Sequence, residues 1–522
     1  MSRILIDPVT RIEGHLKVEV ILDDGIVKEA ASTGVLFRGI ELILRGRDPR
    51  DAQHITQRIC GVCPTSHSIA AALALDDAFG IADKITENGR ILRNLILGAA
   101  HLSDHILHFY HLAALDYVDV TKVAAYEGKD PALNSVKAFI ERGEIGPFLP
   151  RYEGDYRLPA QMDHELVGHY LQALTVRRKG QEMLAVFGGR IPHNPAVVPG
   201  GVTTAPTVDK IASFLWRLNE LRDFIDNVYL PDVITVAGAY GDYFEIGRGC
   251  GNLLSFGAFD LATADPDLTR RNRLLKQGTV SSELKWQPVD PAKIAECVTH
   301  SWYEDSDGPL GPAEGETIPS ENKHEAYSWV KAPRYEGKVY EVGPLARVMS
   351  SYVSGQPEVK SLVDSALSTA GIGPRSMFSV LGRHLARALY AKVLADSMGD
   401  WLLGLKPGEP VFVPCEIPEE STGMGLIEGA RGALGHWIEI RNKRISRYQC
   451  VVPSTWNMSP RDERGQHGPL EQALIGTKVR DEANPFELVR IVRSFDPCLA
   501  CAVHVLTPKG RDLSRFRAAP LI

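Results

Sequence analysis

Cysteine is scarce in this chain, with eight among 522 residues. That is far below the density of a disulfide-built scaffold, so the fold has to rest on an apolar core. Long apolar runs are missing too. None approaches the roughly 20 residues that a bilayer-spanning helix needs. The start, MSRILIDPVTRIEGH, lacks the apolar stretch of a secretory signal. Taken alone, the chain reads as cytoplasmic. Basic residues are in the minority, 58 Lys and Arg against 65 Asp and Glu, which gives a net charge of −7. Nucleic-acid binders concentrate positive charge on one face, so no nucleic acid is expected as a partner. No low-complexity linker divides the chain, and nothing repeats in it except one cysteine pattern. One intertwined domain over residues 1–522 is expected.

The apolar residues that are present are patterned. HLKVEVIL partly alternates and DDG follows it, which predicts a strand pair within the first 32 residues. Ile91, Leu95, Ala99, Leu102, Ile106 and Phe109 recur at steps of three and four, the stripe of a buried helix face. Ile211, Leu215, Leu218, Leu221, Ile225 and Val228 predict a second helix near 208–230, and a third covers 377–405. Gly- and Pro-rich loops lie between them, including 188–202. GHWIEIRNKRISRYQCVV alternates on both sides of RNK and reads as a hairpin. The expected class is α+β, mainly α: a core of long helices packed as a bundle, with β-rich ends.

The cysteine pattern joins those ends. RICGVCPTSH places Cys60 and Cys63 two residues apart, with His67 four residues on. DPCLACAVH repeats the spacing at Cys498 and Cys501, with His504 three residues on. Two such pairs offer four soft thiolates to one metal. Structural zinc is the plain reading, because zinc takes four closed thiolates. Another soft metal, or no metal, stays open on spacing alone. A redox dithiol fits less well, since the βαβ context of such motifs is missing. Structural zinc is usually closed by nearby sequence, whereas this site would join the chain ends through a large body, which suits a buried reaction centre. Cys250, Cys297, Cys415 and Cys450 are isolated and read as small buried hydrophobes.

The two cysteine motifs resemble the signatures of the nickel–iron hydrogenase large subunit. DPVTRIEGHL, RGIE, SDHILHFYHLAALDYVDV, ARGALGHW, VPSTWNMSPRD and GPLEQALIGT resemble the same family, in the same order along the chain. The resemblance implies reversible oxidation of dihydrogen at a Ni–Fe centre, in a heterodimer with an iron–sulfur small subunit. It implies that Cys60, Cys63, Cys498 and Cys501 bind nickel, that Cys63 and Cys501 also bridge to iron, and that the iron carries one carbon monoxide and two cyanides. Arg431 would hang over the metals, oriented by Asp104 and Asp496, and Ser454 would donate to a cyanide. Glu13 would take protons from a terminal cysteine, and the first base would be the Cys498 thiolate or the Arg431 guanidine. His67 would stand beside a bridging cysteine. Glu41, the Cys450 carbonyl and His504 would hold Mg2+.

Further expectations follow from the resemblance. Residues 505–522 match a tail that a maturation protease removes once nickel-insertion factors have acted. The family commonly has proline where this chain has Ala430, so a fixed φ is lost beside the arginine. The VPSTWNMSPRD version resembles uptake enzymes, which implies the periplasmic face of the cytoplasmic membrane, export with the partner and a membrane electron acceptor. A hydrogen sensor would lack the tail, and the homologous subunit of respiratory complex I has lost the four cysteines. A zinc-stapled structural subunit is the alternative from a different class.

Overall fold

The N-terminal sheet shows why the strand expectation was only partly complete. A computed structural model describes residues 1–151, 153–262, 265, 267 and 269–502. Strands β1 (Ser2–Ile6), β2 (Leu16–Asp23) and β3 (Ile26–Gly34) form an antiparallel sheet in that order. In β2 the alternation points Leu16, Val18, Val20 and Leu22 inward. Asp24 and Gly25 both have positive φ, the tight turn that matches strand twist. Residues 2–6 add a third strand that the sequence pattern does not show.

The first cysteine pair runs straight into helix α1 (Pro64–Ala78), with Cys63 at its N-cap and proline at its first position. Helix α2 (Glu87–Ile106) starts from Thr86, whose side chain accepts the Gly89 N–H. The predicted stripe continued to Phe109, but the backbone widens into a π-helical stretch at Leu107–Ala113. This rephasing buries His108, Phe109 and Tyr110 in succession, which a regular helix face cannot do. Asp76 of α1 and Arg93 of α2 form a buried ion pair at 2.5 Å. Gly200 N–H and the carbonyls of Val198 and Gly201 complete their hydrogen bonds, as a buried pair requires.

Helix α3 (Ala160–Gly188) is the longest element and was not predicted. The second predicted helix is α4 (Val208–Phe224), followed by a π turn at Ile225–Tyr229 and a further helix to Ala239. The third is α5 (Val380–Leu403), capped by Ser379. Helix α3 packs on α2 and α4, and α5 packs on α2 and α4.

At the C-terminal side, β4 (Glu420–Gly429), β5 (Gly432–Arg441) and β6 (Arg444–Val451) form a meander. The predicted hairpin is β5–β6, turning at Asn442 and Lys443, both with positive φ. Strand β4 was missed. It lies against α1 so closely that a Cβ at Gly425 or Gly423 would collide with the Ala70 or Ala74 carbonyl. Short strands between 252 and 335, also unpredicted, form small separate sheets. Helix α6 (Phe486–Ser494) leads to the second cysteine pair. The architecture is mixed helix and sheet. Among the described residues no helix is long and apolar enough to cross a membrane.

Candidate metal centre

The two ends meet through backbone first. Glu13 N–H donates to the Pro497 carbonyl at 3.3 Å and Leu499 N–H to the Glu13 carbonyl at 2.8 Å, a parallel bridge across most of the chain. Arg38 adds a clasp. Its guanidinium donates to the carbonyls of Arg58 and Ile59 ahead of the first pair, and to Ala500 inside the second.

The four cysteine sulfurs are thereby gathered within 4.8 Å of one another, and all four residues are buried. Cys60 Sγ lies 3.2 Å from Cys498 Sγ, and Cys63 Sγ lies 3.2 Å from Cys501 Sγ. Cys60 Sγ also accepts the N–H groups of Val62 and Cys63, each at 3.2 Å. Burial pushes the Cys60 thiol up, but hydrogen bonds from the other three cysteines and the Arg431 charge bring it well below its ordinary range. Burial pushes the Cys498 and Cys501 thiols well above theirs. Four thiolates cannot crowd together in an apolar site without a cation. The donor set therefore fits a soft metal ion, which would let every sulfur ionise.

Arg431 stands over this cluster at the tip of the β4–β5 hairpin. Its Nη1 is 3.3 Å from Asp104, in the last turn of α2, and its Nε is 3.1 Å from Asp496, a residue with positive φ just before Cys498. Burial raises Asp104 to about 7 against the pull of Arg431, and burial likewise raises Asp496. Burial opposes the charge on Arg431, yet Asp496, Cys498 and Asp104 together hold it well above its ordinary value. Beneath the guanidinium, a small pocket is lined by Cys63, His67, Ala430, Arg431, Ser454 and Cys501, among others. Ser454 Oγ accepts the Cys498 N–H at 2.9 Å, which leaves its own hydroxyl proton to donate elsewhere. His67 Nδ1 lies 3.1 Å from His436 Nε2, and His436 Nδ1 lies 2.8 Å from the Tyr448 hydroxyl.

Glu13 approaches the cluster at Cys498. Its Oε2 is 3.1 Å from Cys498 Sγ and accepts the Ala500 N–H at 3.0 Å. Burial and the nearby Cys60 raise its pKa, while bonds from Cys498 and Ala500 pull the other way. Glu41 lies apart from the sulfurs, in a short helix, Ile40–Leu44. It accepts the Cys450 N–H at 2.8 Å and the Thr317 hydroxyl. In an antiparallel strand the N–H and C=O of one residue point the same way, so the Cys450 carbonyl also faces the Glu41 side. His504 and the tail 505–522 lie outside the described residues.

Every other site residue named from the sequence is thus in one of two places, around the sulfurs or beside Glu41. Several neighbours were not named. Arg38 lies in RGIE and His436 in ARGALGHW, so the quoted motifs contained them. Lys331, Glu296 and Gln449, which form a buried hydrogen-bonded group next to Glu41, carry no sequence signal.

The nickel-dependent hydrogenase family profile matches residues 38–504. The chain belongs to the nickel-dependent hydrogenase family. A second profile, HoxL-like, matches residues 3–33. The chain is 44% identical to the periplasmic [NiFeSe] hydrogenase large subunit of Desulfomicrobium baculatum, over 97% of this chain and 95% of that one. It is 38% identical to the uptake hydrogenase large subunit of Rhizobium leguminosarum bv. viciae, over 99% and 97%. The solved Ni-Fe-Se hydrogenase from Desulfovibrio vulgaris Hildenborough superposes with a TM-score of 0.85 at 43% identity, covering 96% of this chain and 100% of that one. As a hydrogenase large subunit, the chain is an enzyme, and it carries a buried four-cysteine cluster able to hold a metal ion. All four positions are cysteine here.

Proposed function

We propose that this hydrogenase works in the uptake direction, oxidising dihydrogen to protons and electrons and passing the electrons to an iron–sulfur small subunit. The observation that carries this is the sulfur cluster with a cation above it and a proton-accepting carboxyl beside it: Arg431 over the four thiols, and Glu13 Oε2 3.1 Å from Cys498 Sγ. The name of one relative, a periplasmic hydrogenase, supports a periplasmic site, and that of another, an uptake hydrogenase, supports the uptake direction.

Cys60, Cys63, Cys498 and Cys501 would together hold a nickel–iron centre, Cys63 and Cys501 serving both metals, whose iron would bear carbon monoxide and cyanide. When bound, that centre supplies the two-electron chemistry of dihydrogen cleavage. The protein supplies position and protons. Asp104 and Asp496 orient the Arg431 guanidinium over the site and keep it protonated, which favours Cys498 over Arg431 as the first base. Glu13 receives the proton from Cys498 Sγ, and burial brings its affinity for a proton closer to that of a thiol. Ser454 holds the Cys498 backbone and would have its hydroxyl proton free to donate to a cyanide of the bound centre, and His67 lines the pocket beside Cys63. Glu41, the Cys450 carbonyl and His504 would hold Mg2+.

Purified heterodimer tests the reading. Stoichiometric nickel, together with hydrogen-dependent reduction of an artificial dye, is the expected result. Zinc in place of nickel, with no dye reduction, would overturn it.

A further inference from the structure

The guanidinium of Arg431 is fixed by two carboxylates, but the backbone that carries it is a two-residue turn. Gly429 pairs with Gly432, so Ala430 and Arg431 are the whole loop between β4 and β5. Neither has a positive φ, which excludes the primed turns that suit hairpins. Ala430 brings only a methyl group, and that faces the pocket. Nothing within the turn locks it.

A second arginine reaches it from outside. Arg347, in the helix Pro344–Val353, is fully buried. Its Nη2 donates to the Gly429 carbonyl at 2.6 Å and to the Ala430 carbonyl at 3.0 Å, the two carbonyls that precede Arg431. Its charge is met by Glu428, also fully buried, at 3.1 Å, and its guanidinium lies 4.4 Å from the centre of the Tyr390 ring. Glu428 is itself fixed by the Phe256 N–H at 2.8 Å. On the other side, Gly432 has φ +132° and sits so near Gly343 that a Cβ would lie 2.6 Å from its nitrogen. The turn is therefore held between Gly343 and Arg347. Burying a cation and a carboxylate together is costly unless both are hydrogen-bonded, and here the bonds of the cation go to the turn.

We infer that Arg347 is a positioning residue for the reaction, holding Arg431 over the four-sulfur site through the Gly429 and Ala430 carbonyls, in place of a rigid residue within the turn. This rests on the reading of Arg431 given above. Proline fixes φ near −65°, on the negative side of φ where Ala430 already lies. Proline at position 430 should then restore what the loss of Arg347 removes, without replacing any contact of the Pro344–Val353 helix.

The test uses the heterodimer carrying R347Q with E428Q, so that no charge is left unpaired, and the same pair with A430P. Nickel content, dye reduction and the crystallographic position of the Arg431 guanidinium are measured in each. The expected result is retained nickel, an Arg431 guanidinium displaced from Asp104 or Asp496, turnover lower by on the order of 10²-fold, and recovery of most of that loss with A430P. An unmoved guanidinium with turnover within about twofold of the parent overturns the inference. So does a loss that A430P does not recover while nickel stays bound, because Arg347 would then be general packing. If the glutamine pair does not assemble, R347K with and without A430P is read against the same outcomes, since lysine keeps the charge facing Glu428. A parent enzyme without nickel would count against the proposed function, while the guanidinium position would still decide this inference.

Discussion

Replacing Glu13 with glutamine isolates the proton step. Glu13 Oε2 faces Cys498 Sγ at 3.1 Å and takes the Ala500 N–H at 3.0 Å. Glutamine has the same shape and an oxygen that can keep the Ala500 bond, but its amide cannot accept and release a proton. The fold should lose no more than one hydrogen bond's net worth, about 1 kcal/mol. Turnover should fall about 10²–10⁴-fold, equivalent to roughly 3–5 kcal/mol of barrier. Aspartate at the same position keeps a carboxyl but stands one methylene further back, so it should lose less than glutamine. The assay is hydrogen oxidation with an artificial dye, set beside nickel content and hydrogen–deuterium exchange in the gas phase. Metal content and hydrogen binding should survive while dye reduction collapses. A glutamine variant that keeps near-parental turnover with its nickel in place would refute the route through Glu13 and move attention to Arg431 with Asp104 or Asp496.

Cys501→Ser should lose most bound nickel and iron along with activity, as elemental analysis of the purified variant would show; full metal content would disprove its bridging role. Arg38→Ala removes the clasp between the two cysteine segments, so nickel should leave faster during incubation with a chelator, and Arg38→Lys should recover part of the retention. Asp232 holds the His169 pKa above its usual 6.5, chiefly by their hydrogen bond, and also accepts the Tyr110 hydroxyl. A raised histidine pKa stabilises below the unfolded value and is lost as pH climbs through the folded one, so Asp232→Asn should lower the melting temperature more at pH 6 than at pH 9, and an equal loss at both would refute it. Active, nickel-loaded protein should end at His504 by intact mass; activity in a form that still carries Ile522 would rule out obligatory processing of the tail.

The parts of the site legible in the sequence were those written in local spacing. Two CxxC pairs announced a shared metal, and Glu13, Arg431 and Ser454 each stood inside a short motif. Arg347 could not be found this way. Its carbonyl partners are 82 and 83 residues away, and a lone arginine in a helix reads as surface. The fold divides along similar lines. Helices α2 and α4 were readable from their stripes until the π turns at 107–113 and 225–229 rephased them. Helix α3 was not, because its stripe of Leu166, Ala173, Val176, Gly180, Met183 and Phe187, although at helical steps, is weakened by the small residues Ala173 and Gly180. Strand β4 contains three glycines, which weaken any strand pattern, and two of them are there because α1 lies against the strand.

The distance between the two cysteine pairs then takes on a physical meaning. Joining residues 438 apart in an otherwise free chain would cost about 5 kcal/mol of closure entropy. A metal could meet that cost, but in this fold it is not the only group that does. The Glu13 bridge to Pro497 and Leu499, Arg38 on Ala500, and Arg493 on the Thr10 carbonyl all tie the ends without using a sulfur. The ends are therefore gathered by ordinary hydrogen bonds, and a metal bound there would meet four sulfurs already close together. That is the condition for strong binding at a preorganised site: the chain has already met the entropic cost, and the cation's affinity can go into the four thiolates.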